Sequence, residues 1–117
     1  MTIQQITPLE DGTYLASTKD GKLNLWHTVD KPKGYWVSDD SGVTIEGYLT
    51  REGIKDALDL MEVQPYENIG VWTDTETNIT YIDRSYHFYR KETAIDFGNL
   101  YNQIAIWDCA NKEEIRL

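Results

Sequence analysis

Apolar positions recur at two different spacings along this chain, and the spacing divides it into elements. Residues 13–17 form a strand candidate. In Leu23-Asn24-Leu25-Trp26 the leucines alternate with the other two residues, so the returning strand has one apolar face. Asp20-Gly21 between them is a strong hairpin-turn signal. Residues 30–34, with Pro32 and Gly34, break the chain before a third strand at residues 35–37. Asp39-Asp40-Ser41-Gly42 reads as the next turn, and Val43-Thr44-Ile45 opens a fourth strand. Residues 69–73 and 79–82 predict a second hairpin across the polar run 74–78, with the strand signal continuing through residue 85. Residues 104–107 and 114–117 read as two short closing strands.

Between these runs the period changes to that of a helix. Ile54, Ala57, Leu58 and Met61 fall at i, i+3, i+4 and i+7, one stripe of an amphipathic helix. Thr50 suits its N-cap, Glu52 complements the dipole in the first turn, and Pro65 cannot continue it. A second helix is predicted over residues 91–101, with Ala94, Phe97, Gly98 and Tyr101 on one face and Asn102 suited to a left-handed end. Gly98 costs a helix about 1 kcal/mol relative to Ala. Its presence implies close approach by another backbone, or by a ligand or partner subunit.

These elements predict an α+β fold: a largely antiparallel β-sheet with two α-helices on one face, in a single domain over residues 1–117. The other face or an edge is then open to a second subunit. Four Trp, eight Tyr and two Phe are a heavy aromatic load; some of them must be core, and the polar tips of Tyr and Trp also suit an interface or ligand pocket. A small domain gains further burial by self-association, so a homo-oligomer is expected.

Charge narrows the function classes. Twenty acidic against 11 basic residues leave a formal charge of -9, which repels DNA and RNA backbones. Cys109 is the single cysteine, so no internal disulfide forms, and a structural role is expected for it. No apolar run reaches membrane-spanning length and no basic-then-apolar leader opens the chain, so a cytoplasmic location is expected.

Candidate chemistry is mostly negative evidence. His27, His87 and Cys109 are far apart and show no metal-ligand spacing, so no metal and no cofactor are expected. Neither a nucleophile elbow nor a glycine-rich phosphate loop is present. Ser85 and His87 share one face of a strand, but no acid is marked to orient them. Binding remains. Arg84, Arg90 and Arg116 cluster in the last third among aromatics and the amides Asn99, Asn102 and Gln103. Arginine grips phosphate bidentately, and an aromatic ring stacks on a base.

At these residues the chain resembles phage Thoeris anti-defence proteins of the first type. The resemblance lies in Tyr81-Ile82-Asp83-Arg84-Ser85, the helix from Glu92 to Tyr101, and residues 102–108, with Gly34-Tyr35-Trp36-Val37-Ser38 as a further match. It covers roughly residues 66–117. It implies a sponge that binds a cyclic ADP-ribose isomer, or a cyclic oligonucleotide of CBASS immunity, without cleaving it. It also implies assembly as a dimer or hexamer with pockets shared between subunits, in the cytoplasm of an infected bacterial host. The family's ligand contacts would fall on Tyr89, Asn99 and Arg116, and a family arginine near the N-terminal sheet has no counterpart beyond Lys22 or Lys33. With neighbouring residues, the candidate ligand-binding set is Tyr89, Asn99, Arg116, Phe88, Arg90, Asn102 and Trp72, with no catalytic residue. The alternatives are an acidic protein inhibitor that blocks a defence nuclease or nucleic-acid channel, and an enzyme that degrades a nucleotide signal.

Overall fold

The computed structural model describes residues 10–46 and 51–117. Its elements are β1 (Gly12–Lys19), β2 (Lys22–Thr28), β3 (Tyr35–Ser38), β4 (Val43–Glu46), α1 (Arg51–Leu60), β5 (Asn68–Asp74), β6 (Ile79–Phe88), α2 (Lys91–Leu100), β7 (Ala105–Asp108) and β8 (Glu113–Arg116). All strand pairings are antiparallel, in the order β2-β1-β5-β6-β3-β7-β8, with β4 also paired to β6. The fold is therefore α+β, as the two periodicities predict.

Local chemistry accounts for the joints. Asp20 and Gly21 both have positive φ (54° and 74°), the pair that a tight hairpin between β1 and β2 requires. Both helices end alike. Glu62 and Asn102 take the left-handed conformation, and the next residue's N–H reaches back to the carbonyl five positions earlier, Val63 to Leu58 at 3.0 Å and Gln103 to Gly98 at 2.8 Å. This Schellman closure satisfies carbonyls that the helix leaves unpaired. It stops α1 well before Pro65, and it stops α2 at Leu100, one residue short of the predicted end. The predicted cap Thr50 lies outside the described residues.

Both helices lie on one face of the sheet. The α1 stripe, Ile54, Ala57, Leu58 and Met61, is fully buried against Tyr14, Ala16, Leu25, Ile69, Val71 and Ile82. Complete burial of the Ile, Leu and Met side chains stabilises by roughly 1.5–3 kcal/mol each. A second, smaller core forms where α2 meets β3 and β7, with Val37, Ala94 and Ile106 buried beneath Phe88, Phe97 and Ile115.

Two expectations are corrected. Asp39 to Gly42 does not reverse the chain. β3 and β4 run in the same direction along the same edge of β6, Ser38 opposite Ser85 and Val43 opposite Ile82. Four residues (39–42) therefore stand opposite two (83–84), a bulge within one long pairing. The Asx turn that misleads the reading is present, since the Asp39 carboxylate accepts from the Ser41 N–H at 2.9 Å. Gly98 is explained by the chain's own side chains: a Cβ there would meet Leu117 Cδ1 at 2.5 Å and Val37 Cγ2 at 3.3 Å. Neither a ligand nor a partner subunit is needed to account for it.

Candidate functional site: the open face of the sheet

Alternation along each strand sends every second residue to the face without helices. On β6 these are Tyr81, Asp83, Ser85 and His87; on β5 they are Gly70 and Trp72. The centre of this face is floored by small residues, Gly70, Ser85 and Ser38, and aromatic rows rise on either side. One row is Trp72 and its cross-strand partner Tyr81, stacked with centroids 5.3 Å apart. The other is His87, Trp36 and Trp107, paired in sequence across β6, β3 and β7. Small residues between large ones make a groove of about 990 Å³. Gly70 keeps the floor open there: a Cβ would stand 2.6 Å from Ser85 Oγ, which would have to turn aside. The segment from β2 to β3 also lines the groove, through Val29, Asp30 and Lys31.

The bulge sets the electrostatics. Asp39 is buried and satisfied, accepting from Ser41 and from Tyr86 Oη at 2.8 Å. Burial and that hydrogen bond push the Tyr86 hydroxyl up to about 12. Asp83 lies on the groove floor, so close beneath Gly42 that a Cβ on Gly42 would overlap its carboxylate. Burial first, and the neighbouring Asp39 charge second, push Asp83 up to about 6. On the helix side, Arg84 is committed to structure: it donates to Glu67 at 3.1 Å, Ser41 at 2.9 Å and the Met61 carbonyl at the end of α1 at 2.5 Å. Cys109 also lines the groove, with its thiol pushed up by burial and by Asp108.

The seven candidate residues do not converge in this chain. Trp72, Asn102 and Arg116 line the groove, with Arg116 loosely paired to Glu114 at 3.8 Å. Tyr89 is exposed, edge-on to His87, and lines a separate hollow with Lys33 and Asn111. Phe88 packs against Phe97 in the second core. Arg90 is exposed and pairs with Glu92 at 3.3 Å, and Asn99 is exposed on α2. Ser85 and His87 do share a face, but His87 Nε2 is engaged by the Lys33 carbonyl at 2.8 Å. Among the described residues no His/Cys/Asp/Glu group suits a metal ion, and no helix is long and apolar enough to cross a membrane.

Sequence reasoning missed Asp83, Tyr81, Trp36 and Trp107. The signal was available: period-two alternation through 79–88 collects Tyr81, Asp83, Ser85 and His87 on the face opposite Thr80 and Ile82. The chain matches no protein-family model, no curated protein and no solved structure.

Proposed function

We propose that this protein is a non-catalytic, oligomeric binder of a cyclic nucleotide signal, of the cyclic ADP-ribose or cyclic oligonucleotide class, and acts as an anti-defence sponge that holds the signal intact. The observation that carries this reading is the open face: two aromatic rows flank a floor of small residues, with Asn102, Lys112 and Arg116 at one end. Rings of this kind accept the flat faces of bases, an amide reads their edges, and arginine meets phosphate. Arg116 is largely exposed and its one ion pair is loose, so its guanidinium is available to an anion. Short-range pairing at hydrogen-bond distance outweighs the net charge of -9, because exposed charges are screened beyond about 8 Å at physiological salt. Oligomerisation accommodates Tyr89 and Asn99, which lie away from the groove and complete a site only from a neighbouring subunit.

Calorimetric titration with a cyclic ADP-ribose isomer and with a cyclic trinucleotide tests the reading. Trp72→Ala is expected to weaken binding by roughly five- to 150-fold, the range for a stacking aromatic. Arg116→Ala should weaken a phosphate-bearing ligand by at least about tenfold. Lys55→Ala, on the exposed side of α1, should change nothing. Bound ligand should be released unaltered after denaturation. A folded protein that takes up neither ligand class, or a released ligand that has been cleaved, rejects the sponge.

A further inference from the structure

Charge is distributed unevenly along the open face. Lys112 and Arg116 stand at the β7–β8 end. The opposite end is acidic, and its geometry follows from the strand register. Asp74 lies two residues beyond Trp72 on β5, and Asp83 two residues beyond Tyr81 on β6, in the opposite direction along the sheet. Gly12 pairs with Val71, which brings Asp11 beside Trp72 from β1. Carboxylates therefore flank the stacked Trp72–Tyr81 pair on three sides, at spacings of about 5–7 Å set by the sheet itself. Trp72 is 49% exposed, so its ring meets solvent.

Among the described residues no cation forms an ion pair with this patch. The ion pairs among the described residues join Arg84 to Glu67, Arg90 to Glu92 and Arg116 to Glu114, and none reaches Asp11, Asp74 or Asp83. Among the described residues, Asp11 and Asp74 accept from backbone N–H groups, those of Thr73 and Glu76. Among the described residues the Asp83 carboxylate has neither a hydrogen-bond nor an ion-pair partner. A second charge, Asp39, repels it from the bulge.

We infer that this end of the open face is a docking site for an arginine-bearing basic segment of a partner protein, with a guanidinium laid on the Trp72–Tyr81 pair between Asp74 and Asp83. Charge complementarity selects a basic occupant, and the ring pair selects arginine over lysine, since a planar guanidinium both stacks and pairs bidentately with carboxylates. The groove continues from this patch over Gly70 and Ser85 towards Trp36, so its occupant is a length of chain rather than an isolated cation. Nucleic acid is repelled by the same carboxylates. Both readings use the Trp72 ring, but they differ in the charged groups they need: Arg116 for the nucleotide, Asp74 and Asp83 for the basic segment.

Titration with a short arginine-glycine repeat peptide at low ionic strength, beside its lysine-glycine counterpart, tests it. The arginine peptide should bind more tightly, and added salt should weaken it. Trp72→Ala should cost roughly three- to 30-fold, the span of a cation–π contact, and Trp72→Phe should recover part of that loss. Asp74→Asn with Asp83→Asn should weaken binding at least as much, whereas Asp56→Asn, exposed on α1, should leave it unchanged. Arg116→Ala should leave peptide binding intact while it impairs nucleotide binding, so the two readings fail separately. Absence of peptide binding, equal affinity for both peptides, or indifference to the Trp72 and Asp74/Asp83 variants overturns the proposal.

Discussion

The two faces of the sheet are made by the same strands, residue by alternate residue, and they differ in how completely they satisfy themselves. On the helix face Ile69, Val71 and Ile82 are closed under α1, and the polar groups that intrude are matched. Thr73 and Thr80 share a hydrogen bond of 2.9 Å, and Arg84 is held by Glu67, Ser41 and Met61. On the open face Trp72 and Trp107 stay about half exposed, and Asp83 has no partner among the described residues. Folding alone gains nothing from leaving a carboxylate half buried beside another carboxylate. The helix face accounts for why the chain folds; what remains unsatisfied on the opposite face is what the proposed binding would use.

The largest expected effect breaks the closed face. Leu58→Ala, at a side chain 1% exposed, should lower the unfolding free energy by about 2–5 kcal/mol in urea titration. Ligand affinity of the folded fraction should stay within about threefold, because α1 does not line the groove; a selective loss of binding would show that the faces are not separable.

Asp83→Asn sharpens the comparison in the opposite direction. Asp83 is pushed from 3.8 to about 6, so the folded protein holds this proton more tightly than the unfolded chain does. Its contribution to stability is full below about pH 4 and is lost as pH rises through about 6. The shift corresponds to at most about 3 kcal/mol. Asparagine should therefore stabilise the protein at pH 8, by roughly 1–3 kcal/mol in thermal or urea melts, and the gain should vanish by pH 4. A destabilised variant at pH 8 would mean that the carboxylate has an unrecognised role in folding.

Cys109→Ser is the smallest perturbation. Its thiol borders the groove but stays protonated, with its pKa raised by burial. Ligand retention should remain within a few-fold of wild type by equilibrium dialysis. Complete loss in a folded variant would assign the thiol a function.

Elements were legible because each carries its own periodicity. The stripe of α1, the Asp20-Gly21 turn and the left-handed Asn102 are local signals, and all stand where the spacing places them. The bulge was not legible: an Asx turn looks alike whether it joins two paired strands or interrupts one, and only the pairing of residues 43–46 with 79–82 decides. The candidate site was only partly legible. Arginines and aromatics that lie close in sequence separate in space, so that Phe88 enters the core while Tyr89, its neighbour, turns to solvent. Asp83 stayed unnoticed because a single carboxylate in an acidic chain carries no mark until burial sets it apart.

One strand joins the two halves of this sheet. Among the described residues, strand pairing links β2, β1, β5 and β4 to β3, β7 and β8 through β6 alone, and each half has its own hydrophobic cluster, the second with three buried residues against eleven in the first. Two such units are expected to exchange amide hydrogens at different rates, the smaller opening more often, which hydrogen-exchange mass spectrometry would read. The groove runs across their shared seam, from Trp72 on one half to Trp107 on the other. A ligand spanning that seam would act as a clasp, slowing exchange in β3 and β7 towards the rate of the larger unit, so that binding would be recorded as cooperativity between units that are otherwise only loosely coupled.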